Sequence, residues 1–262
     1  MRILSRLISI AALLVISIPT YAEVFSIPAP NQGFFDNKEA TQTFYKGNAN
    51  SKAVMIFLPG GPGSFGLKPD FVGPRKYGMF EEIANGTNSG AKLDYVFMDS
   101  PYVLSPMNSK NLSIRSTKDH MDRIRSVVDF YKSKTGKPIW LLGHSNGTYS
   151  LAQFINQTPD YDKLIAGAIF SSGRNEREIT IDPINLPILV LHHAEDTCPS
   201  TQFGPAQLFY ESVKSRNRSR TEFVAITGGT NDGEACFAPA SHHMYGGSYS
   251  QFTNAVQQFI FK

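Results

Sequence analysis

Cysteine is nearly absent: Cys198 and Cys236 are the two in 262 residues, and their spacing with the histidines matches no familiar zinc pattern. A large excess of one charge is also missing. With 25 basic and 22 acidic residues the net charge is +3, which offers no broad basic face, so nucleic acid is not an expected partner. There is no internal repeat and no low-complexity tract. The apolar run Leu7–Ile18 is too short for the roughly 20 residues of a membrane-spanning helix. No cysteine follows that run, which argues against a lipoprotein anchor.

What is present at the start is a leader. Arg2 and Arg6 form a positive head, the apolar run follows, and Thr20-Tyr21-Ala22 ends it on a small residue. Residues 1–22 are therefore expected to be a signal peptide cleaved after Ala22, giving a secreted or periplasmic protein with no stable membrane insertion. The remaining 240 residues, 23–262, are expected to form a single domain with a sizeable core, at a net charge lowered to +1 by removal of the two arginines. In an oxidising compartment Cys198 and Cys236 are expected to pair, and in the chain-entropy model the closed loop is worth about 4 kcal/mol.

Apolar runs alternate with helical spacings. The strands predicted are 53–58, 93–98, 138–142, 165–170, 187–192 and 221–226, mostly apolar throughout, as in strands covered on both faces. Helices are predicted at 119–134, 148–157, 206–214 and 249–260. The aromatic N-terminal region, with Phe25, Phe34, Phe35, Phe44 and Tyr45, reads as an edge strand or hairpin. Segments 59–78 and 228–248 read as loops. The fold class is α/β, with a mostly parallel central sheet and helices on both faces.

The stretch WLLGHSNGTYS at 140–150 puts Ser145 between Gly143 and Gly147, after a strand and before a helix. A strand, a G-x-S-x-G turn and a helix make a nucleophile elbow, with the helix amides facing the charge that develops during reaction. A serine nucleophile needs a base and a group that orients the base, in the chain order Ser, acid, His. LVLHHAEDTCP places Glu195 and Asp196 just past a strand end, with Asp196 preferred. ASHHMYGG places His242 and His243 in the last long loop, with His243 preferred. The backbone amides of Asn146 and Gly61 are the expected oxyanion donors, because Pro62 has no N–H. His144, His192 and His193 read as packing residues. Phe65, Leu67, Tyr102 and Met107 read as pocket walls, and Tyr245 as a wall or lid. A Cys198–Cys236 bridge would tie the acid loop to the histidine loop.

From PGGPG at 59–63, GHSNG at 143–147, HHAEDTC at 192–198 and the C-x6-HH-x2-GG stretch from Cys236, the chain resembles the α/β-hydrolase superfamily. The glycine loop is similar to the HGGPG motif of prolyl iminopeptidase-like hydrolases, with Pro59 in place of the histidine. Those peptidases carry a helical cap. Only about 15 residues join the strands 165–170 and 187–192 here, too few for one. The resemblance implies a capless serine hydrolase with an open site, acting on small-molecule carboxylic esters without cofactor or metal. Three rivals remain: an amidase or aminopeptidase, a zinc site drawn from His192, His193, Asp196, Cys198, Cys236, His242 and His243, and an inactive binding protein.

Overall fold

A computed structural model describes residues 22–30, 38–67, 93–105, 111–175 and 179–262. Residues 1–21 of the expected leader, Phe34, Phe35, Met107 and positions 68–78 of the glycine loop lie outside these. Eight strands form one sheet: β1 Ala22–Ile27, β2 Thr41–Lys46, β3 Ala53–Leu58, β4 Leu93–Asp99, β5 Ile139–His144, β6 Gly167–Ser171, β7 Ile188–His193 and β8 Thr221–Ile226. Their order is β1-β2-β4-β3-β5-β6-β7-β8. β1 and β2 form the expected antiparallel hairpin at one edge, β2 runs antiparallel to β4, and every later pairing is parallel.

Each central strand is apolar on both sides because both sides are covered. On β3, Val54, Ile56 and Leu58 join one core cluster, while Ala53, Met55 and Phe57 join the other. The first cluster packs against α1 (Lys118–Thr135), α2 (Asn146–Gln157) and α4 (Phe203–Lys214), and α3 is the single turn Tyr161–Leu164. The second takes Phe252, Val256 and Phe259 of α5 (Tyr249–Ile260).

α1 shows why a helix forms where the spacing predicts. The Thr117 side chain accepts from the His120 amide, Gly136 ends the helix at φ 67°, and Met121, Ile124, Val127, Val128 and Tyr131 are buried along one stripe. Residues 172–187 alone join β6 to β7, and no large cap covers the sheet among the described residues. Nor is any described helix long and apolar enough to cross a membrane. The parallel strands β3, β5, β6 and β7 end at one edge of the sheet. The glycine loop, Ser145, Ser172 and Asp196 follow these four ends in turn.

Candidate active site

Ser145 lies in the bend between β5 and α2 at φ 53° and ψ −124°, a region non-glycine residues rarely occupy. Among the described residues the non-glycine positive φ values belong to Ser145, Ser172 and Tyr245. All three border the same site, and backbone strain of this kind costs about 1–3 kcal/mol each. The bend is closely packed. A Cβ on Gly147 would stand 2.0 Å from the Leu58 carbonyl oxygen, one on Gly143 2.5 Å from the Gly147 carbonyl oxygen, and one on Gly60 2.6 Å from Ser145 Cβ. The Ser145 amide donates to the Ser171 carbonyl at 3.0 Å, which holds the bend to β6. Its side chain remains partly exposed.

Past the end of β7, Asp196 is buried and its Oδ2 lies 2.9 Å from His243 Nδ1. The carboxylate is held from several sides. Oδ1 accepts from the Cys198 amide at 2.8 Å, the Thr201 hydroxyl donates to Oδ2 at 3.1 Å, and His192 Nε2 stands 3.3 Å from Oδ2. Thr201 Oγ1 is also 3.0 Å from His243 Nδ1. With Nδ1 engaged, Nε2 is the nitrogen left for a reacting group.

Glu195 and His242 lie outside this pair. The Glu195 side chain is 68% exposed, 3.7 Å from His242 Nδ1. Among the described residues no hydrogen bond joins Ser145 Oγ to His243, but the two share a framework. The His144 ring is 5.0 Å from the His243 ring, and Ser172 Oγ donates to the His243 carbonyl at 2.9 Å.

The loop after β3 lies over the serine. The Gly63 amide donates to the Gly60 carbonyl at 3.1 Å, and Gly61 has φ 54° before Pro62. A positive φ followed by proline's fixed negative φ matches a II′ turn, a geometry that glycine enters without penalty. Since the peptide is trans, the Gly61 N–H points opposite the Gly60 carbonyl and out of the turn. Asn146 is the first residue of α2, so its amide has no intrahelical acceptor.

No protein-family model matches the chain, and no curated protein matches it in sequence. Solved structures match it in shape. Dienelactone hydrolase from Anabaena variabilis gives a TM-score of 0.58 at 12% identity, over 92% of this chain and 97% of that one. XC6422 from Xanthomonas campestris, an α/β serine hydrolase without lid, gives 0.55 at 12% identity over 93% and 94%. Acylaminoacyl peptidase from Pyrococcus horikoshii gives 0.58 at 13% identity over 93% of this chain and 42% of that longer one. The chain has the α/β-hydrolase fold.

Within this α/β-hydrolase framework several residues read differently from the sequence. Tyr245 is neither wall nor lid: it is fully buried, donates to the Leu191 carbonyl at 2.9 Å and accepts from the Ser172 amide at 3.1 Å. Leu67 is core, the Phe65 ring packs edge-on against Phe97 at 5.5 Å, and the Tyr102 hydroxyl is bound to Asp119 at 2.6 Å. His192 packs as expected and in addition touches the acid. Thr201 carries no sequence signal, because its five-residue offset from Asp196 runs through an irregular loop.

His193, Glu195 and His242 offer ligand atoms within 4.8 Å of one another. The two imidazoles are stacked 4.0 Å apart at 12°, however, and parallel rings aim their in-plane lone pairs side by side rather than at one ion. Cys198 and Cys236 face each other with sulfurs 2.01 Å apart. These placements divide the proposed zinc ligands between other contacts.

Burial opposes the charge on Asp196, but the hydrogen bonds from His192 and His243 outweigh it and hold the carboxyl well below the usual carboxylate range. A depressed folded value means that ionised Asp196 adds stability above the unfolded value of about 3.9 and loses it as pH falls through the folded value. Urea melts of the wild type and Asp196→Asn are therefore expected to converge as pH is lowered from about 5 toward 2. A constant gap across that range would contradict the assignment. His144, by contrast, is pushed far down by burial, with the neighbouring His243 adding to the effect, so it stays neutral beside the site.

Proposed function

We propose that the protein is an exported serine hydrolase that cleaves carboxylic ester bonds of small molecules through Ser145, His243 and Asp196. The observation that carries this reading is the buried 2.9 Å contact of His243 Nδ1 with Asp196, beside a strained serine bend, in the chain order Ser, acid, His. Ser145 Oγ attacks the ester carbonyl as His243 Nε2 takes its proton. The amides of Gly61 and Asn146 hold the oxyanion. His243 then protonates the departing alcohol, leaving an acyl-serine. Water, deprotonated by His243, releases the acid and restores Ser145. Asp196 orients the imidazole and stabilises its cation.

A site without a large cap suits varied small acyl groups. The likeness in fold to a dienelactone hydrolase, which by its name acts on a cyclic ester, supports the ester reading. The likeness to an acylaminoacyl peptidase favours amide cleavage as the second reading. One experiment addresses both. A fluorophosphonate probe is expected to label Ser145 stoichiometrically, and short-chain aryl esters are expected to turn over faster than aminoacyl arylamides. A folded, unlabelled Ser145 would overturn the mechanism and favour an inactive binding protein. Faster arylamide turnover would replace ester with amide.

The leader suggests export, and Cys198 and Cys236 are then proposed to form a disulfide joining the acid loop to the histidine loop. Reduction is expected to lower stability by up to about 4 kcal/mol, read from urea melts with and without reductant. Two thiols titrating in the unreduced, unfolded protein would exclude the bond.

A further inference from the structure

A buried guanidinium lies beneath the glycine turn. Arg115, in the 3₁₀ turn Ser113–Ser116, is 1% exposed. Its Nε donates to Ser105 Oγ at 2.8 Å, its Nη1 to Ser150 Oγ at 3.0 Å, and its Nη2 to the Gly61 carbonyl at 3.0 Å. Ser150 belongs to α2, the helix that follows Ser145, and shares its hydroxyl with His120 Nε2 at 3.0 Å. Burial, helped by the Arg115 charge, pushes His120 down to about 3, so the neighbour is neutral and the cation is Arg115.

The turn needs an external anchor. A glycine at φ 54° has no Cβ to resist rotation of the peptide planes on either side. The plane before Gly61 is held by the Gly63 amide on the Gly60 carbonyl. The plane after it leads into Pro62, which has no N–H to bond. That plane is held by two side chains instead, Arg115 at 3.0 Å and Asn146 Nδ2 at 3.4 Å, both on the Gly61 carbonyl. The fit is close: a Cβ on Gly63 would stand 2.9 Å from Arg115 Nη2. Further along, the Leu104 amide holds the Pro62 carbonyl at 2.8 Å and the Ser100 amide holds that of Gly63 at 2.9 Å.

We infer that Arg115 is a positioning residue of the oxyanion turn: the Gly63–Gly60 bond holds the plane that carries the Gly61 N–H, Arg115 pins the second plane through the Gly61 carbonyl, and with both planes fixed the turn cannot swing that N–H away from the reacting oxygen. This rests on Ser145 being the nucleophile. A donor turned away from the oxyanion loses effect in the transition state and little in substrate binding, so the loss falls on kcat rather than KM.

Arg115→Ala and the milder Ser105→Ala, which removes a support of the guanidinium, are to be compared with the wild type on p-nitrophenyl butyrate. In Arg115→Ala, kcat is expected to fall about 10- to 100-fold with KM within about twofold. In Ser105→Ala the fall is expected to be several-fold. The inhibition constant of an alkyl trifluoromethyl ketone, whose adduct with serine carries an oxyanion, is expected to rise by the factor that kcat falls. Added guanidinium ion at non-denaturing concentration is expected to restore part of the Arg115→Ala rate alone. Unchanged kcat, a loss confined to KM, or an unchanged ketone constant would overturn the inference. If Arg115→Ala fails to fold, Ser105→Ala decides on the same readouts. A wild type that the fluorophosphonate does not label at Ser145 sinks the parent reading and this inference with it. A labelled, active wild type with unaffected variants sinks this inference alone.

Discussion

Ser145→Ala is expected to lower kcat on an aryl ester by roughly 10⁴- to 10⁶-fold while leaving the melting temperature within about two degrees of the wild type. The two halves of that expectation have separate causes. Activity falls because no other hydroxyl occupies the bend between β5 and α2, and what remains comes from oxyanion donors and binding acting on water. Stability is kept because alanine retains the Cβ that already fits against Gly60, 2.6 Å from where a Cβ on that glycine would stand. The Ser145 amide and carbonyl also keep their bonds to Ser171 and Thr148, which do not involve the lost oxygen. A folded Ser145→Ala protein that retained a tenth of the wild-type rate would end the nucleophile assignment.

Gly147→Ala is expected to do the opposite and strike the fold. Its Cβ would lie 2.0 Å from the Leu58 carbonyl oxygen, 2.9 Å from the Leu58 carbonyl carbon and 3.1 Å from the Pro59 carbonyl oxygen. All three are backbone atoms at the end of β3, which is paired on both sides within the sheet and cannot give way locally. The expected loss exceeds about 4 kcal/mol, a large part of the 5–15 kcal/mol that holds an ordinary domain. For a chain of this size that lowers the melting temperature by roughly 10 degrees or more, or leaves no soluble protein. Gly204→Ala is the control: it lies in α4 with nothing within 4 Å of its Cβ, and it should be neutral or slightly stabilising. If the Gly147→Ala and Gly204→Ala proteins melted alike, the packing of the elbow would have been misjudged.

These contrasts show why some parts of the molecule are legible in a single sequence. β3 occupies the predicted residues because a continuous apolar run bounded by Lys52 and Pro59 leaves little choice of register. The serine bend is legible for a similar local reason. Gly143 and Gly147 record in one dimension the contacts that a Cβ would make in three. The expectation of pocket walls at Leu67 and Tyr102 failed because loop membership says nothing of whether a ring or a leucine turns inward.

By itself the sequence determined the α/β class, the alternation of strand and helix, the serine at the strand-to-helix bend and the two regions from which the proposed acid and histidine are drawn. Each of those depends on neighbours a few residues apart, whose spacing is set by the 3.6-residue and 2-residue periods of helix and strand. Tertiary structure alone brought Asp196 rather than Glu195 against His243 rather than His242, since adjacent residues in irregular loops obey neither period. It alone brought Thr201 onto Asp196 and set Tyr245 beneath Ser172. And it placed Arg115, in the turn Ser113–Ser116, under Gly61 in the loop after β3, 54 positions away in the chain, a contact that no local spacing encodes.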